Sequence, residues 1–211
     1  MNKIALALVG VVASVGVVQA DDDPGMAVMQ LMMRSPGISK DGKHVAMYSM
    51  DSSKEKDTMT SFIVFSAAGK EEKRVGVVPP NTDAKRTMKA VESINKIWTD
   101  GGYVRMSRVA IANEKRDKTS YEADLSSEDV AVHVAFNKDT VELTGTRGDA
   151  KLAPVKQKLG KTTRKCKAPD DYGVVNTISG YDKTTKLFAF ALQASQGADV
   201  CAEYDFVVTL K

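Results

Sequence analysis

The run Leu187-Phe-Ala-Phe-Ala-Leu192 is apolar at every position. Successive side chains of a strand point to opposite faces, so a strand with no polar position has no face to offer solvent. Residues 187–192 therefore read as a central strand buried on both sides. Gly173–Ser179 precedes it as a strand. Tyr204, Phe206, Val208 and Leu210 follow it, alternating along one face.

The period of two recurs upstream. Val130, Val132, Val134 and Phe136 share a face, and the Asn137-Lys138-Asp139 turn returns the chain into Val141 and Leu143. Tyr121, Ala123 and Leu125 alternate before them, and Tyr103–Ile111 is a further strand candidate. In the N-terminal third, strands are expected over Val45–Met50, Ser61–Phe65 and Val75–Val78. Leu152–Val155 contains Pro154, whose missing N–H confines it to a sheet edge, and 156–172 reads as a basic loop. Two segments are helical. Ala84–Trp98 places Ala84, Met88, Val91, Ile94 or Asn95, and Trp98 on one face, with Thr82 or Asp83 to cap it and Gly101-Gly102 to end it. Pro24–Arg34 is a shorter amphipathic helix with Met26, Met29 and Met33 at helical spacing, ended by Ser35-Pro36. The expected class is α+β: one antiparallel, hairpin-rich sheet with helix 84–98 packed on a face. It forms a single domain over residues 35–211 behind an N-terminal segment, 21–34.

The first twenty residues have the parts of a Sec-type signal peptide. Lys3 is followed by an apolar or small run, Ile4–Val18, and by Val18-Gln-Ala20 as a cleavage site. The run is shorter than the about 20 residues of a membrane span. Cleavage after Ala20 gives a periplasmic or secreted protein without a transmembrane anchor. Of the charges, 30 Lys+Arg against 27 Asp+Glu, the segment holds only Lys3. So near-neutral a chain is not a dedicated nucleic-acid binder. In an oxidising compartment its two cysteines, Cys166 and Cys201, are expected to form a disulfide.

Catalytic chemistry finds little purchase. The two histidines fall on the polar faces of strands, His44 opposite Val45 and Met47 and His133 opposite Val132 and Val134. There is no Gly-x-Ser-x-Gly or His-Glu-x-x-His motif. Asp51, Ser53, Glu55 and Asp57 alternate as in a calcium loop, but the central Gly and terminal Glu are missing and Lys54 and Lys56 intrude. Met26, Met29, Met32 and Met33 have the Met-x-x-Met spacing of soft Cu(I) ligands, yet methionines at helical spacing read first as core filling. No catalytic residue, metal ligand or cofactor is assigned. The uneven feature is the basic stretch of Arg147, Lys151, Lys156, Lys158, Lys161, Arg164, Lys165 and Lys167, opposed only by Asp149. Lys156, Lys158, Lys161, Arg164, Lys165 and Lys167 are the candidate contacts for an anionic envelope polymer, a lipid headgroup or an acidic protein.

Ser35-Pro-Gly-Ile-Ser-Lys-Asp-Gly-Lys-His-Val-Ala46 resembles the hairpin of TolB-like β-propeller repeats, in which a Ser-Pro-Asp-Gly-Lys type turn precedes an apolar strand. Ile178-Ser-Gly-Tyr-Asp-Lys-Thr-Thr-Lys-Leu-Phe-Ala189 repeats it with a longer turn, as a divergent internal duplication would. A propeller takes about four blades or more, and two copies separated by a helix do not make one. The chain is similar in this to uncharacterised exported bacterial proteins that carry such a hairpin and a helix ending in Gly-Gly-Tyr. That likeness implies no activity.

The expected function is that of a non-catalytic exported binding or interaction protein of the cell envelope. The alternative is a secreted hydrolase with a carboxylate-based site. A concave pocket in which acids converge, or an acid meets a His, favours the second; a shallow face with the basic segment exposed favours the first. The cysteine pairing predicts that an alkylating reagent modifies neither Cys166 nor Cys201 in the exported protein until a reductant is supplied. Alkylation without reductant, read by intact mass, would show free thiols.

Overall fold

The computed structural model describes residues 23–50, 60–117, 120–137, 140–158, 172–196 and 204–210. Helix α1 (Pro24–Met33) precedes β1 (Gly37–Ile38), β2 (His44–Met50), β3 (Thr60–Ser66) and β4 (Glu71–Val77). Helix α2 (Ala84–Asp100) and β5 (Val104–Arg105) follow. Next come β6 (Ala110–Asp117), β7 (Ser120–Ser127), β8 (Val130–Asn137), β9 (Thr140–Arg147), β10 (Ala150–Lys151) and β11 (Val155–Lys158). The last group is β12 (Tyr172–Asp182), β13 (Leu187–Gln196) and β14 (Tyr204–Leu210). They build three antiparallel sheets: β4-β3-β2-β1-β5, then β10-β9-β8-β7-β6 with β11 also on β9, and β12-β13-β14.

The three-stranded sheet lies in the middle. Leu187, Ala189 and Ala191 of β13 pack with Val45, Met47, Ile63 and Phe65 of the five-stranded sheet. Phe188 and Phe190 point the other way, into Leu125, Val132, Val134 and Leu143 of the six-stranded sheet. The far face of the five-stranded sheet carries Ala46, Tyr48, Phe62 and Val64 against Ala27, Val28 and Leu31 of α1 and Val91 and Ile94 of α2. The layers therefore run helices, five strands, three strands, six strands. The doubly buried strand expected at 187–192 is buried at every position from Leu187 to Ala191.

Antiparallel pairing, hairpins and a long helix on a sheet face are as expected. A single sheet is not, and the described residues are β-dominated, with two helices. Alternation identifies strands without saying which sheet takes them. Residues 103–111 illustrate this: β5 stays on the first sheet, Ser107 exchanges backbone hydrogen bonds with Tyr181 of the middle sheet at 2.9 and 3.0 Å, and β6 opens the six-stranded one. Residues 156–158, read as the start of a loop, belong to β11, which pairs with β9. The hairpin turn at Asp41-Gly42 is present, but only Gly42 has positive φ (67°). Asp41 instead accepts from Ser39 Oγ (2.6 Å) and Lys43 N (3.0 Å). The second hairpin is built alike, Asp182 accepting from Thr185 N (2.7 Å) and Thr185 Oγ1 (2.6 Å), and the two tips touch at Gly42 and Thr185. The Cys166–Cys201 pair lies outside the described residues.

Helix α2 starts at Asp83, whose carboxylate accepts from Arg86 N at 2.9 Å. Its inner face is Thr87, Val91 and Ile94; Ala84, expected there, is exposed. Thr87 is tolerated inside because its hydroxyl reaches Val78 O (3.1 Å) and Asp83 O (2.9 Å). Trp98 is half-buried, its ring 6.3 Å from Phe62 and 5.4 Å from Tyr103. It rests on Gly37, where a Cβ would collide with Trp98 Cη2. In α1 the expected orientation is reversed: Ala27, Val28 and Leu31 face inward and the methionines outward.

The Gly37–Trp98 contact predicts a coupled pair. Gly37→Ala should destabilise the fold by about 1–3 kcal/mol through overpacking. Trp98→Ala should cost about 3 kcal/mol, the low end for a large aromatic because the ring is only partly buried. In the double variant the glycine substitution should cost less than in the wild type. Urea unfolding followed by circular dichroism gives this cycle, and strict additivity would show that the ring does not lean on Gly37.

Candidate functional site on the outer sheet

The six-stranded sheet has an inner face of Tyr121, Ala123, Leu125, Val132, Val134 and Leu143, so its alternate residues form an outer face. Register fixes what meets there. Ser127↔Val130 closes a two-residue turn, which sets Asp124 opposite His133, and the β8–β9 pairing sets His133 opposite Thr144. Glu122, Ala135 and Glu142 form the next row, continued by Lys156 of β11; Ser126, Ala131 and Thr146 form the one before, continued by Lys151 of β10. His133 thus stands between two alanines, which leave open floor beside it.

The ring is held by acids. His133 Nδ1 lies 2.8 Å from Asp124 Oδ1, and Nε2 lies 3.6 Å from Glu122 Oε1. The other Asp124 oxygen accepts from Asn113 Nδ2 at 2.7 Å. Asn113 sits at φ 52° where β6 shifts register between Ala112 and Lys115, and this bulge turns its amide onto Asp124. Lys115 Nζ approaches Glu122 at 3.3 Å. The Asn113 amide and then the His133 ring hold the Asp124 carboxyl below the usual carboxylate range. A groove of about 570 Å3 opens on one side of His133, over Ala131, Thr144 and Thr146 and against Lys151, Leu152 and Pro154. A second, of about 420 Å3, lies towards Asn113 and Lys115.

With both nitrogens turned to carboxylates, His133 sits in a surface ion-pair network. Activating a nucleophile would require a hydroxyl or thiol at one of those nitrogens. The side chains are about half exposed, 42% for His133 and 49% for Asp124, so charges here act through water. His44 is placed likewise, its Nε2 3.2 Å from Glu72 Oε2. Among the described residues no group of three or more His, Cys, Asp and Glu converges to hold a metal ion.

The basic segment is divided by the fold. Lys156 is exposed on β11, with Nζ 3.3 Å from Glu142 Oε2, and Lys158 is exposed opposite Thr140. Lys151 is exposed at the rim of the larger groove. Arg147 is not a solvated cation: half-buried, it donates from Nη2 to Lys186 O at 2.7 Å and ties the outer sheet to the β12–β13 turn. Lys161, Arg164, Lys165 and Lys167 lie outside the described residues. The row Asp124–His133–Thr144 was not foreseen, although its signal was present. Strands ending near Leu125 and starting at Val130 leave a short turn, and that turn sets which residues oppose each other.

No family model, no curated protein and no solved structure matches this chain. Among the described residues no helix is long and apolar enough to cross a membrane.

The Asp124 contacts predict a pH dependence. A carboxyl whose folded pKa is depressed contributes stability above its unfolded pKa, near about 3.9, and loses it as pH falls through the folded value. Asn113→Ala should move the Asp124 titration up towards that ordinary value, as read by carboxyl-carbon NMR. An unchanged titration would show that the amide does not act on Asp124.

Proposed function

We propose that this chain is a non-catalytic binding protein of the bacterial cell envelope, delivered by a signal peptide over residues 1–20. Its contact surface is the outer face and basic edge of the six-stranded sheet, and its partner is anionic. The observation that carries this reading is the edge itself: Lys151, Lys156 and Lys158 are exposed on β10 and β11, beside the larger groove. Lys161, Arg164, Lys165 and Lys167 continue the same sign in sequence. The open floor around His133 suits a broad contact better than a sequestered reaction, which needs water excluded. The likeness of residues 35–46 to a hairpin of exported proteins fits the same compartment.

A second reading has one observation in its favour. Asp124 bound to His133 Nδ1 is the pairing by which a carboxylate orients a general base, and Glu122 stands at the other nitrogen. A secreted hydrolase would use these three groups.

Retention on heparin and on anionic vesicles across a salt series separates the two. Each exposed pair contributes only about 0–1 kcal/mol, so binding should come from several cations together. It should fall steeply as the Debye length shrinks from about 10 Å at 0.1 M to about 3 Å at 1 M. Lys151→Glu with Lys158→Glu should elute earlier than wild type, and so should Lys161→Ser with Arg164→Ser and Lys165→Ser. Equal elution of all three would overturn the anionic-partner reading. Hydrolysis of chromogenic esters or glycosides that His133→Gln and Asp124→Asn abolish would replace it with the second.

A further inference from the structure

We propose that the outward face of α1 is a thioether site for a soft monovalent cation, Cu(I). The site lies on the helical layer, at the opposite end of the stack from the outer sheet, and does not depend on the function proposed there. Met26, Met29, Met32 and Met33 are 41%, 47%, 37% and 56% exposed. They are four of the six exposed large hydrophobic residues among those described, the others being Val104 and Ile111. Core filling does not explain them, because Ala27, Val28 and Leu31 do the packing from the other side of the helix.

The spacing makes one site of the four. At 3.6 residues per turn they lie within roughly 120° of the helix circumference. Met29 is three residues from Met26, three from Met32 and four from Met33, separations that put Cβ atoms about 5–6 Å apart. Three flexible thioethers can therefore meet over Met29, within reach of a single ion. Every residue of α1 from Pro24 to Met33 is uncharged, and the nearest charges along the chain are its two caps, Asp23 and Arg34. Neutral sulfur donors select Cu(I) over Zn(II) or Mg(II), which take imidazole, thiolate or oxygen. A thioether has no proton to lose, so binding should be insensitive to pH, unlike a His or Cys site.

The experiment titrates the exported full chain, treated with N-ethylmaleimide so that no thiolate at Cys166 or Cys201 competes. Cu(I) is added anaerobically against bicinchoninate, and Ag(I), its redox-inert analogue, is followed by NMR of methyl-labelled methionine. One ion should bind, shifting the methyls of Met26, Met29, Met32 and Met33 and leaving the buried Met47 and Met106 unmoved. Met29→Leu with Met33→Leu keeps the face apolar and should weaken Cu(I) at least about tenfold. Its circular dichroism should stay unchanged. Affinity should hold from about pH 7 to about pH 5, with Zn(II) failing to compete. Equal Cu(I) affinity in the leucine variant, shifts confined to other methionines, or an acid-sensitive affinity would overturn the site. The first of these results would leave an apolar surface with no use for sulfur.

Discussion

The Leu187–Leu192 stretch of β13 has no polar position, and the layering of the whole molecule depends on that. Its two faces are unlike. Phe188 and Phe190 turn towards the six-stranded sheet, and Phe190 stacks on Tyr121 at 5.8 Å. Ala189 and Ala191 turn towards the five-stranded sheet with Leu187, and Gly180 lies across from Ala189. A Cβ on Gly180 would come within 2.7 Å of Met106 Cβ and 2.9 Å of Pro36 Cγ. One interface is filled by rings and the other closed by small residues that let backbone approach backbone. Full burial of a large apolar side chain contributes about 1.5–3 kcal/mol, so neither face of this strand can be left to solvent.

Covering both faces of a middle sheet settles where function can reside. What remains accessible is the helical layer on one side and the outer face of six strands on the other. The layers are tied at their margins by polar contacts: Arg147 to Lys186 O, Lys183 to Glu128 at 2.5 Å, and Thr209 Oγ1 to Ala67 O at 2.6 Å. Polar atoms enclosed between layers are raised in pKa by burial, as the Tyr48 phenol is, and are withdrawn from chemistry at neutral pH. Among the titratable groups left open are those of the outer face, where His133 meets Asp124 and Glu122.

How much of this the sequence shows follows from what a period can carry. Burial on both faces of 187–191 and the cap of α2 each depend on local residues and were legible, whereas Pro154, expected within an edge strand, lies in the connection between β10 and β11. The division into three sheets was not, because β2, β8 and β13 present similar apolar runs and only tertiary contact assigns them. β6 escaped because Ala110–Asp117 is exposed at all eight positions, so it has no apolar alternation to detect. Thr87 displaced Ala84 from the buried face through hydrogen bonds to Val78 O and Asp83 O, which no hydropathy pattern records. The methionines misled for a related reason: helical spacing shows that residues share a face without showing which way it points.

Three of the sheet edges among the described residues separate solubility from recognition. An edge strand needs charge to prevent pairing with another chain, and either sign serves. β4 carries Glu71-Glu72-Lys73-Arg74, with Arg74 gripping Glu71 at 2.9 and 2.6 Å. β6 carries Glu114-Lys115-Arg116-Asp117, with Arg116 on Glu114 at 2.6 Å. Both edges are protected by mixed charge that largely neutralises itself. The β10–β11 edge, residues 150–158, holds three lysines and no acid, and its sequence continues into four more cations by Lys167. Edge protection alone gives no reason for one sign. A field of one sign adds up over several side chains and draws in an opposite charge, whereas mixed pairs cancel at a few ångströms. The single-sign edge is therefore the part of this surface that solubility leaves unexplained, and it borders the groove beside His133.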